Sequence, residues 1–474
     1  MVSRLGAGDG LRLTATGAAA AEPLARDRAE LVERIRLAAR LALAGAIVLS
    51  PFHARIVLDA RPLPPVFHDY RDLMLFWNEI LVIAVLALWA LSLVIRPRKL
   101  DLGPLLLRLP VVALLIAIWL SVPFSVEPVI SLFNAVVVLG FIALGMYVLN
   151  EIEDLRQLVP AVVLMVVIQA VVGITQVVSQ ASFGLSALGE LDLDPTVSGV
   201  SIVWAEDAAR QLRAYGLSDH PNILGGVLAF ALLLVGTGLS RYRGNAVTLL
   251  SASFGVGVAA LLVTFSRSGA LALLFGLGLT FALLLARRHR QALGLWATAC
   301  LVAVVVAVPL VRPYADYLSA RTNPTAQQAG STEERALSER RALVRNTNEI
   351  FIDHPIVGVG LSALPTAMYE AFPEFGYHHS PAHIVILTVA AETGILGAAA
   401  YGLLMVAPWL LLYFYRRRLT PELIGVSAAL LAVTVVGLLD YYTWSLTPGR
   451  FWFWLVLGLW VLSYRRALDG RCDA

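Results

Sequence analysis

The stretch LFWNEILVIAVLALWALSLVIRPRKL, residues 75–100, joins a long apolar run to a short basic cluster. The run supplies about the 20 mostly apolar residues that a helix needs to cross a bilayer. The cluster at 96–99 follows directly, and basic residues are enriched in connections on the cytoplasmic side of a membrane. The stretch therefore predicts a transmembrane helix, over 74–95, that ends in the cytoplasm.

The same pattern repeats along the 474-residue chain. Hydrophobic residues make up 58% of it and charged residues only 15%, below the roughly 25% of soluble domains. This composition predicts an all-α polytopic membrane protein, and the net charge of +3 is too small to indicate a nucleic-acid partner. About twelve segments are long enough to span a bilayer: 37–55, 74–95, 105–123, 129–149, 157–178, 219–239, 246–264, 268–286, 291–311, 382–414, 423–441 and 450–464.

Short basic connections recur at alternate gaps and set the direction of the chain: 96–99, 241–243, 287–290, 416–418 and 465–466. They predict a cytoplasmic tail over 1–36, a transmembrane domain over 37–465 and a second cytoplasmic tail over 466–474. The large loop 312–381, between the ninth and tenth spans, then faces the outside. Apolar residues at roughly helical spacing within it predict an amphipathic helix across the outer mouth.

A major-facilitator transporter also has twelve spans with both termini inside. Such a transporter has two similar halves joined by a long cytoplasmic connection after the sixth span. Here that connection is only SRYRGN, residues 240–245, and the sequence shows no internal repeat. The long insertions face outward instead, which favours work on a substrate presented at the outer leaflet.

The first polar patch on the predicted outer face is RQLRAYGLSDHPNILGG, residues 210–226. Asp219 and Pro221 suit the start of a helix, where short polar residues cap and proline fits the first turn. That role accounts for neither Arg213 nor the pair His220 and Asn222. These three side chains are therefore candidate site residues.

The second patch, TFSRSGALALLFG at 264–276, places Arg267 in an otherwise near-continuous apolar run. One interpretation is an arginine that anchors a hairpin at the headgroup layer. The other is a functional site, the default for an ionisable residue between spans. A guanidinium suits a phosphate, because its planar fork donates two parallel hydrogen bonds and keeps its charge.

The third patch is HHSPAHIVILTVAAETGILG, residues 378–397. Ser380 and Pro381 suit a helix start, which predicts His383 in the first turn of the tenth span and His379 just outside it. The positive end of the helix dipole disfavours an imidazolium, so His383 is a candidate proton acceptor. The alternatives are an interfacial histidine without a role and a metal pair with His379. No third ligand is evident, and no metal site is predicted.

Together these patches resemble the O-antigen ligase and polymerase family. RAYGLSDHPN at 213–222 is similar to the family's Arg-x-x-Gly segment leading into His-Pro-Asn, and TFSRSGALAL at 264–273 to its Thr-x-Ser-Arg-Gly-type turn. DHPIVGVGLSAL at 353–364 resembles its His-Pro-x-x-Gly-x-Gly element. The ligases also place a histidine with a polar partner nine residues before Gly-x-x-Gly. His383 and GILG at 394–397 keep this spacing, with Ile384 in place of the polar partner.

The resemblance implies a GT-C-like, membrane-embedded glycosyltransferase that inverts the anomeric centre and needs neither metal nor cofactor. The implied donor is a glycan on undecaprenyl diphosphate. The implied acceptor is a sugar hydroxyl on a lipid or glycan at the outer face of the bacterial cytoplasmic membrane. His383 would be the general base, and Arg213 and Arg267 would bind the donor diphosphate. Three residues would support them: His220, Asn222 and His379.

Two activities, ligation and polymerisation of repeat units, share this architecture, and the sequence favours neither. A transporter or flippase of lipid-linked glycans is the alternative from another class. If the protein is an enzyme, Arg213, Arg267 and His383 should converge on an outward cavity closed from the cytoplasm. If it is a transporter, they should line a path through both halves of the bundle. The sequence predicts no oligomeric state.

Overall fold

The computed structural model describes residues 12–204, 210–322 and 327–470, so 1–11 and 471–474 of the two predicted tails lie outside the described residues. The described part is mostly helical. Its helices are α1 (Arg12–Leu49), α2 (Trp77–Ile95), α3 (Leu105–Ser121), α4 (Pro128–Glu151), α5 (Val159–Ser179), α6 (Pro221–Gly238), α7 (Asn245–Val263), α8 (Arg267–Ala286), α9 (Arg290–Val311), α10 (Ala315–Thr322), α11 (Gln327–Asp353), α12 (Leu364–Ala371), α13 (Val385–Phe414), α14 (Pro421–Leu439), α15 (Tyr442–Ser445) and α16 (Thr447–Asp469).

Ten helical segments of the described chain are long and apolar enough to cross a membrane. They correspond to α2 through α9, α13 and α14, and the chain is a multi-pass membrane protein. The other two predicted spans, 37–55 and 450–464, overlap the helices α1 and α16, which are not among the ten. All twelve predicted segments are thus helical over most of their length. The count of twelve spans and the cytoplasmic position of both termini stay predictions.

Three helices, α6, α14 and α16, form the enclosed centre of the bundle. α6 is buried along its length apart from Asn222 in its first turn, and α14 and α16 pack against it. α6 crosses α8 where the two backbones nearly touch. A Cβ added to Gly269 of α8 would lie 2.6 Å from the carbonyl carbon of Gly225 in α6. This close approach sets the first turn of α8 beside the first turn of α6.

The connections at one end of the bundle pack together and form what we call the polar end. Two short antiparallel hairpins lie there: β1 (Arg55–Asp59) with β2 (Leu73–Phe76), and β3 (Ile202–Val203) with β4 (Gln211–Leu212). In the loop between β1 and β2, the Tyr70 hydroxyl donates a hydrogen bond to the Tyr441 hydroxyl at 2.8 Å. Arg71 Nη1 in the same loop donates to Thr366 Oγ1 at 3.0 Å. The loops before α2 and α15 and the first turn of α12 therefore meet.

The predicted amphipathic helix of the loop 312–381 is confirmed as α11. Leu343 and Ile350 are buried in a small apolar cluster with α12, whereas Leu337 is about half exposed, at 49%. The helix contacts α13 along this buried side. It therefore covers part of the polar end, as expected from its sequence.

The start of α13 differs from its prediction. The helix begins at Val385, with Ile384 at its N-cap, and not at Ser380 or Pro381. His383 therefore precedes the helix and is not in its first turn. The physical reason is tertiary packing: His379 and Ala382 are buried at 1% and 0% exposure, and these contacts hold the segment in a non-helical conformation despite its local capping signals.

α13 is interrupted at Gly394, whose φ of 70° is in the left-handed region that favours glycine. The segment after α11 hydrogen-bonds to the backbone on both sides of this break. Val359 N donates to Ala391 O at 2.9 Å, and Ile395 N donates to Pro355 O at 2.9 Å. The two glycine-containing motifs at 353–364 and 394–397 thus pack against each other. This contact fixes the N-terminal part of α13, which follows His383.

Candidate active site

A cavity of about 410 Å³ lies at the polar end, within the range of roughly 300–1,000 Å³ that is usual for ligand sites. His383, His220 and Asn222 line it together with Asp440. Arg340 and Glu339 of α11 line it from another side. Three segments that are far apart in sequence, before α6, before α13 and after α14, therefore meet at one space.

Behind His383 lies a buried carboxylate. Asp440, just beyond the end of α14, is 4% exposed, and its Oδ1 is 3.3 Å from His383 Nδ1. Burial alone would raise the pKa of Asp440, but hydrogen bonding to His383 and the charges of His383, His220 and Arg340 outweigh it and lower that pKa. An ionised carboxylate at this position favours a proton on Nδ1. Nε2 of the imidazole is then the atom that can accept a proton.

Asp440 also connects His383 to two other predicted site residues. Asn222 Nδ2 lies 3.4 Å from Asp440 Oδ2, and Asn222 Oδ1 accepts a hydrogen bond from Arg213 Nη2 at 2.6 Å. Arg213 is 4% exposed, and it also donates to Thr264 O at 2.8 Å and to Ser201 Oγ at 2.9 Å. These bonds tie the turn before α8 and the start of α6 to the carboxylate that orients His383.

Arg267 is placed differently. It is the first residue of α8, its side chain is exposed, and it is not among the described residues that line the cavity. The preceding Ser266 caps the helix, since its Oγ accepts a hydrogen bond from Gly269 N at 3.2 Å. The crossing of α6 and α8 nevertheless keeps Arg267 at the same end of the bundle. The predicted role of Arg213 and Arg267 in binding a diphosphate stays a prediction.

The supporting histidines occupy two environments. His220 is the N-cap of α6, and its Nδ1 accepts a hydrogen bond from Asn222 N at 3.1 Å. His379 is 1% exposed, with Nε2 3.0 Å from Phe372 O and its ring against Tyr369 and Phe375. His379 therefore lies in an aromatic cluster beside the cavity. The neighbouring His378 lines the cavity, and His379 does not appear among its described lining residues.

Several groups at this end were missed in the sequence. Asp219, which was predicted to suit the start of α6, pairs with His53 and accepts a hydrogen bond from Arg55 Nη1 at 3.3 Å. Arg55 Nη2 also donates to Asp69 Oδ1 at 2.7 Å. Asp219 and Asp69 line both the main cavity and a smaller space of about 70 Å³ that adjoins it. The available signal was that Asp69 and Arg55 are ionisable residues in a short loop between apolar runs.

The smaller space is built on a buried arginine. Arg450 of α16 is 3% exposed and donates to Asn134 Oδ1 at 2.5 Å and to Ser362 Oγ at 2.8 Å. Glu79 and Glu392 line the same space, and Glu392 Oε2 accepts a hydrogen bond from Trp444 Nε1 at 2.8 Å. This network joins α4, α13 and α16 beneath the cavity. Within 12–204, 210–322 and 327–470, no group of three or more His, Cys, Asp or Glu side chains could hold a metal ion.

The fold and site define a multi-pass helical membrane protein with a polar cavity at one end, in which a histidine is backed by a buried carboxylate. Residues 252–402 match the family model described as O-antigen ligase. The match confirms the resemblance that the motifs indicate. It includes Arg267 and His383, but not Arg213, Asn222 or Asp440. No curated protein matches the chain. The family supports activity of the O-antigen ligase or polymerase type in general.

Proposed function

We propose that the protein transfers a glycan from an undecaprenyl-diphosphate-linked donor to an acceptor sugar hydroxyl at the outer face of the bacterial cytoplasmic membrane. The observation that carries this proposal is the position of His383, which faces the cavity with Asp440 3.3 Å behind its Nδ1. A histidine held in this way is a suitable general base. Its position within the segment that matches the O-antigen ligase family adds independent support.

The reaction is a single displacement with inversion. His383 Nε2 accepts the proton of the acceptor hydroxyl while the hydroxyl oxygen forms a bond to the anomeric carbon. The bond from that carbon to the diphosphate oxygen breaks, and the electron pair leaves with the lipid diphosphate. Asp440 stabilises the imidazolium that forms. General base catalysis by a positioned histidine contributes about 10²–10⁴-fold in rate.

The departing diphosphate needs positive charge. Of the two arginines predicted to bind the diphosphate, Arg267 at the start of α8 is the one whose side chain is exposed. Arg340 of α11 lines the cavity with His383 and is a further candidate from the structure. Arg213 makes three hydrogen bonds to protein groups, which favours a second role, that of positioning Asn222 and the turn at Thr264.

Transport is the alternative function, and the packing beneath the cavity favours the enzyme. α6 leads away from Asn222 and is buried along the rest of its length, as is most of α16. A route for a glycan through the bundle would have to separate these helices. The proposed transfer instead uses only the cavity at the polar end.

The test is reconstitution of the purified protein in liposomes with a lipid-linked oligosaccharide and candidate lipid and glycan acceptors. We expect a new glycosidic bond of inverted anomeric configuration, detected by mass spectrometry and NMR, in buffer that contains a strong chelator. Comparison of the acceptors would decide between ligation and polymerisation. Movement of the donor between leaflets without any new glycosidic bond would overturn the proposal, and activity lost in chelator and restored by a divalent ion would overturn its metal-independent form.

A further inference from the structure

An apolar groove of about 500 Å³ runs between α7, α8 and α9 on the outside of the bundle. Leu273 and Leu277 of α8 line it opposite Val304 and Val308 of α9, which are 57% and 55% exposed. Ala303 and Ala307 form part of its floor, where small side chains leave room between the helices. Arg312, which follows the last residue of α9, is the one charged residue among the described residues that line the groove.

The end of the groove that carries Arg312 is the polar end of the bundle. Val311 and Ala307 share an apolar cluster with Val263, at the end of α7, and with Ala214. Ala214 N donates to Val263 O at 3.0 Å, and the neighbouring Arg213 donates to Thr264 O. The charged end of the groove thus lies beside the segment after β4 that contains Arg213. The hydrogen bonds from Arg213 through Asn222 reach Asp440, whose Oδ1 lies 3.3 Å from His383 Nδ1.

Apolar burial alone cannot choose an occupant for this groove, because a lipid-facing surface is already in contact with hydrocarbon. The selective element is the position of the charge. A cation at the outer end of an apolar groove matches a molecule with one hydrocarbon chain directly attached to a phosphate group. The nearby general base requires that this phosphate also carry the glycan.

We propose that this groove, the chain groove, binds the polyprenyl chain of the donor, and that Arg312 contacts the diphosphate at the end of that chain. The inference rests on the proposed function and specifies where its donor is held. The diphosphate would then extend from Arg312 toward Asn222 and His383, so that the anomeric carbon bonded to it lies at the cavity. Bulk phospholipid in the groove is the competing occupant that the experiment must exclude.

The first experiment fills the groove. Val308→Trp is compared with Val305→Trp, because Val305 is on the same helix, is 66% exposed and is not among the described lining residues. Transfer is measured with the natural long-chain donor and with a donor whose prenyl chain is too short to follow the groove. We expect Val308→Trp to raise KM for the long-chain donor about tenfold, as lost uniform binding does, and to leave the short-chain donor unchanged. Equal behaviour of the two variants, or equal losses with both donors, would overturn the chain groove.

The charge is tested separately. Arg312→Gln is compared with Arg290→Gln at the opposite end of α9. Since the diphosphate is common to both donors, Arg312→Gln should raise KM for the long-chain and the short-chain donor alike, and Arg290→Gln should raise neither. Unchanged KM in Arg312→Gln would remove this residue from the donor site.

A binding measurement tests occupancy of the chain groove independently of catalysis. A photoreactive benzoylphenylalanine is placed at position 308 or 305 in nanodiscs of phosphatidylglycerol that contain polyprenyl diphosphate. We expect adducts with the polyprenyl diphosphate at 308 well above those at 305, even if no acceptor is present. Adducts at 308 with phosphatidylglycerol alone would show a groove filled by bulk lipid and overturn the inference. If the wild type transfers no glycan but still forms the polyprenyl adduct, the proposed function fails while the groove stands as a prenyl-phosphate site.

Discussion

Arg213 and Arg267 occupy similar settings in the sequence, each in a short polar patch beside an apolar run, but the structure separates them. Arg213 is buried at 4% exposure and bonds to three protein acceptors from different segments. Arg267 is exposed at the first turn of α8. The difference divides the candidate residues into a buried half and an open half. Arg213, Asn222 and Asp440 form the buried half, which holds groups in place. His383, which lines the cavity, and Arg267, which is exposed outside it, form the open half.

The largest effect is expected where the two halves join. Asp440→Asn keeps the size of the side chain but removes the charge behind His383 and allows the wrong imidazole tautomer. We expect the rate of transfer to fall roughly 10²–10⁴-fold, with donor affinity retained. The control is Asp59→Asn, an exposed carboxylate in β1. Near-normal turnover in Asp440→Asn would separate the buried half from catalysis.

Arg213→Lys tests the buried half itself. A single ammonium cannot serve Thr264 O, Ser201 Oγ and Asn222 Oδ1 together, and each buried acceptor left unpaired costs about 1–3 kcal/mol. We expect much of the activity to be lost, with normal membrane insertion but a lower Tm in detergent. Thermal unfolding and transfer are measured on the same preparation. A loss of activity with an unchanged Tm would instead support direct contact of Arg213 with the diphosphate.

Arg267→Lys tests the open half and should give the opposite combination. The lysine keeps the charge but loses the bidentate geometry that suits paired phosphate oxygens. We expect KM for the donor to rise about tenfold, consistent with weaker binding, while the Tm stays at the wild-type value. Arg287→Lys, just past the other end of α8, is the matched control. Wild-type KM in Arg267→Lys would return this residue to the role of a headgroup anchor.

The smallest effects are expected from the two adjacent histidines before α13. His379→Phe should preserve the aromatic cluster with Tyr369 and Phe375 and reduce activity no more than a few fold, in the range of a lost orienting contact. His378→Ala should act on the acceptor, because His378 lines the cavity and its ring contacts that of Phe67 in a tilted arrangement. Steady-state kinetics in acceptor concentration distinguish the two. A larger loss in His379→Phe than in His378→Ala would reverse the assignment.

The helices could be predicted because their signals are local. Span length and basic connections occur within about 25 residues of sequence, and all twelve predicted segments are helical over most of their length. The start of α13 could not be predicted in the same way. Ser380 and Pro381 are good local start signals, but burial of His379 and Ala382 holds the segment outside the helix.

The grouping of the candidate site residues could be predicted in part, for a related reason. Arg213, His220, Asn222 and His383 do meet at or beside one cavity, because unusual polar residues in a membrane protein are visible in the sequence. Asp440 was missed, since a single carboxylate at the end of a span reveals nothing about a histidine before a different span. The division between a buried and an exposed arginine also depends on tertiary packing, which two similar sequence patches do not encode.

The central claim is that His383 is the base, and His383→Gln in the reconstituted system tests it most directly. Glutamine keeps hydrogen-bonding capacity at a similar size but has no useful basicity. Transfer is measured alongside binding of the lipid-linked donor, with His289→Gln on the loop between α8 and α9 as a control. The account predicts transfer reduced at least about 10²-fold with donor binding intact. Retention of most of the transfer rate by His383→Gln would contradict it and would move the base to His220 or Asp219.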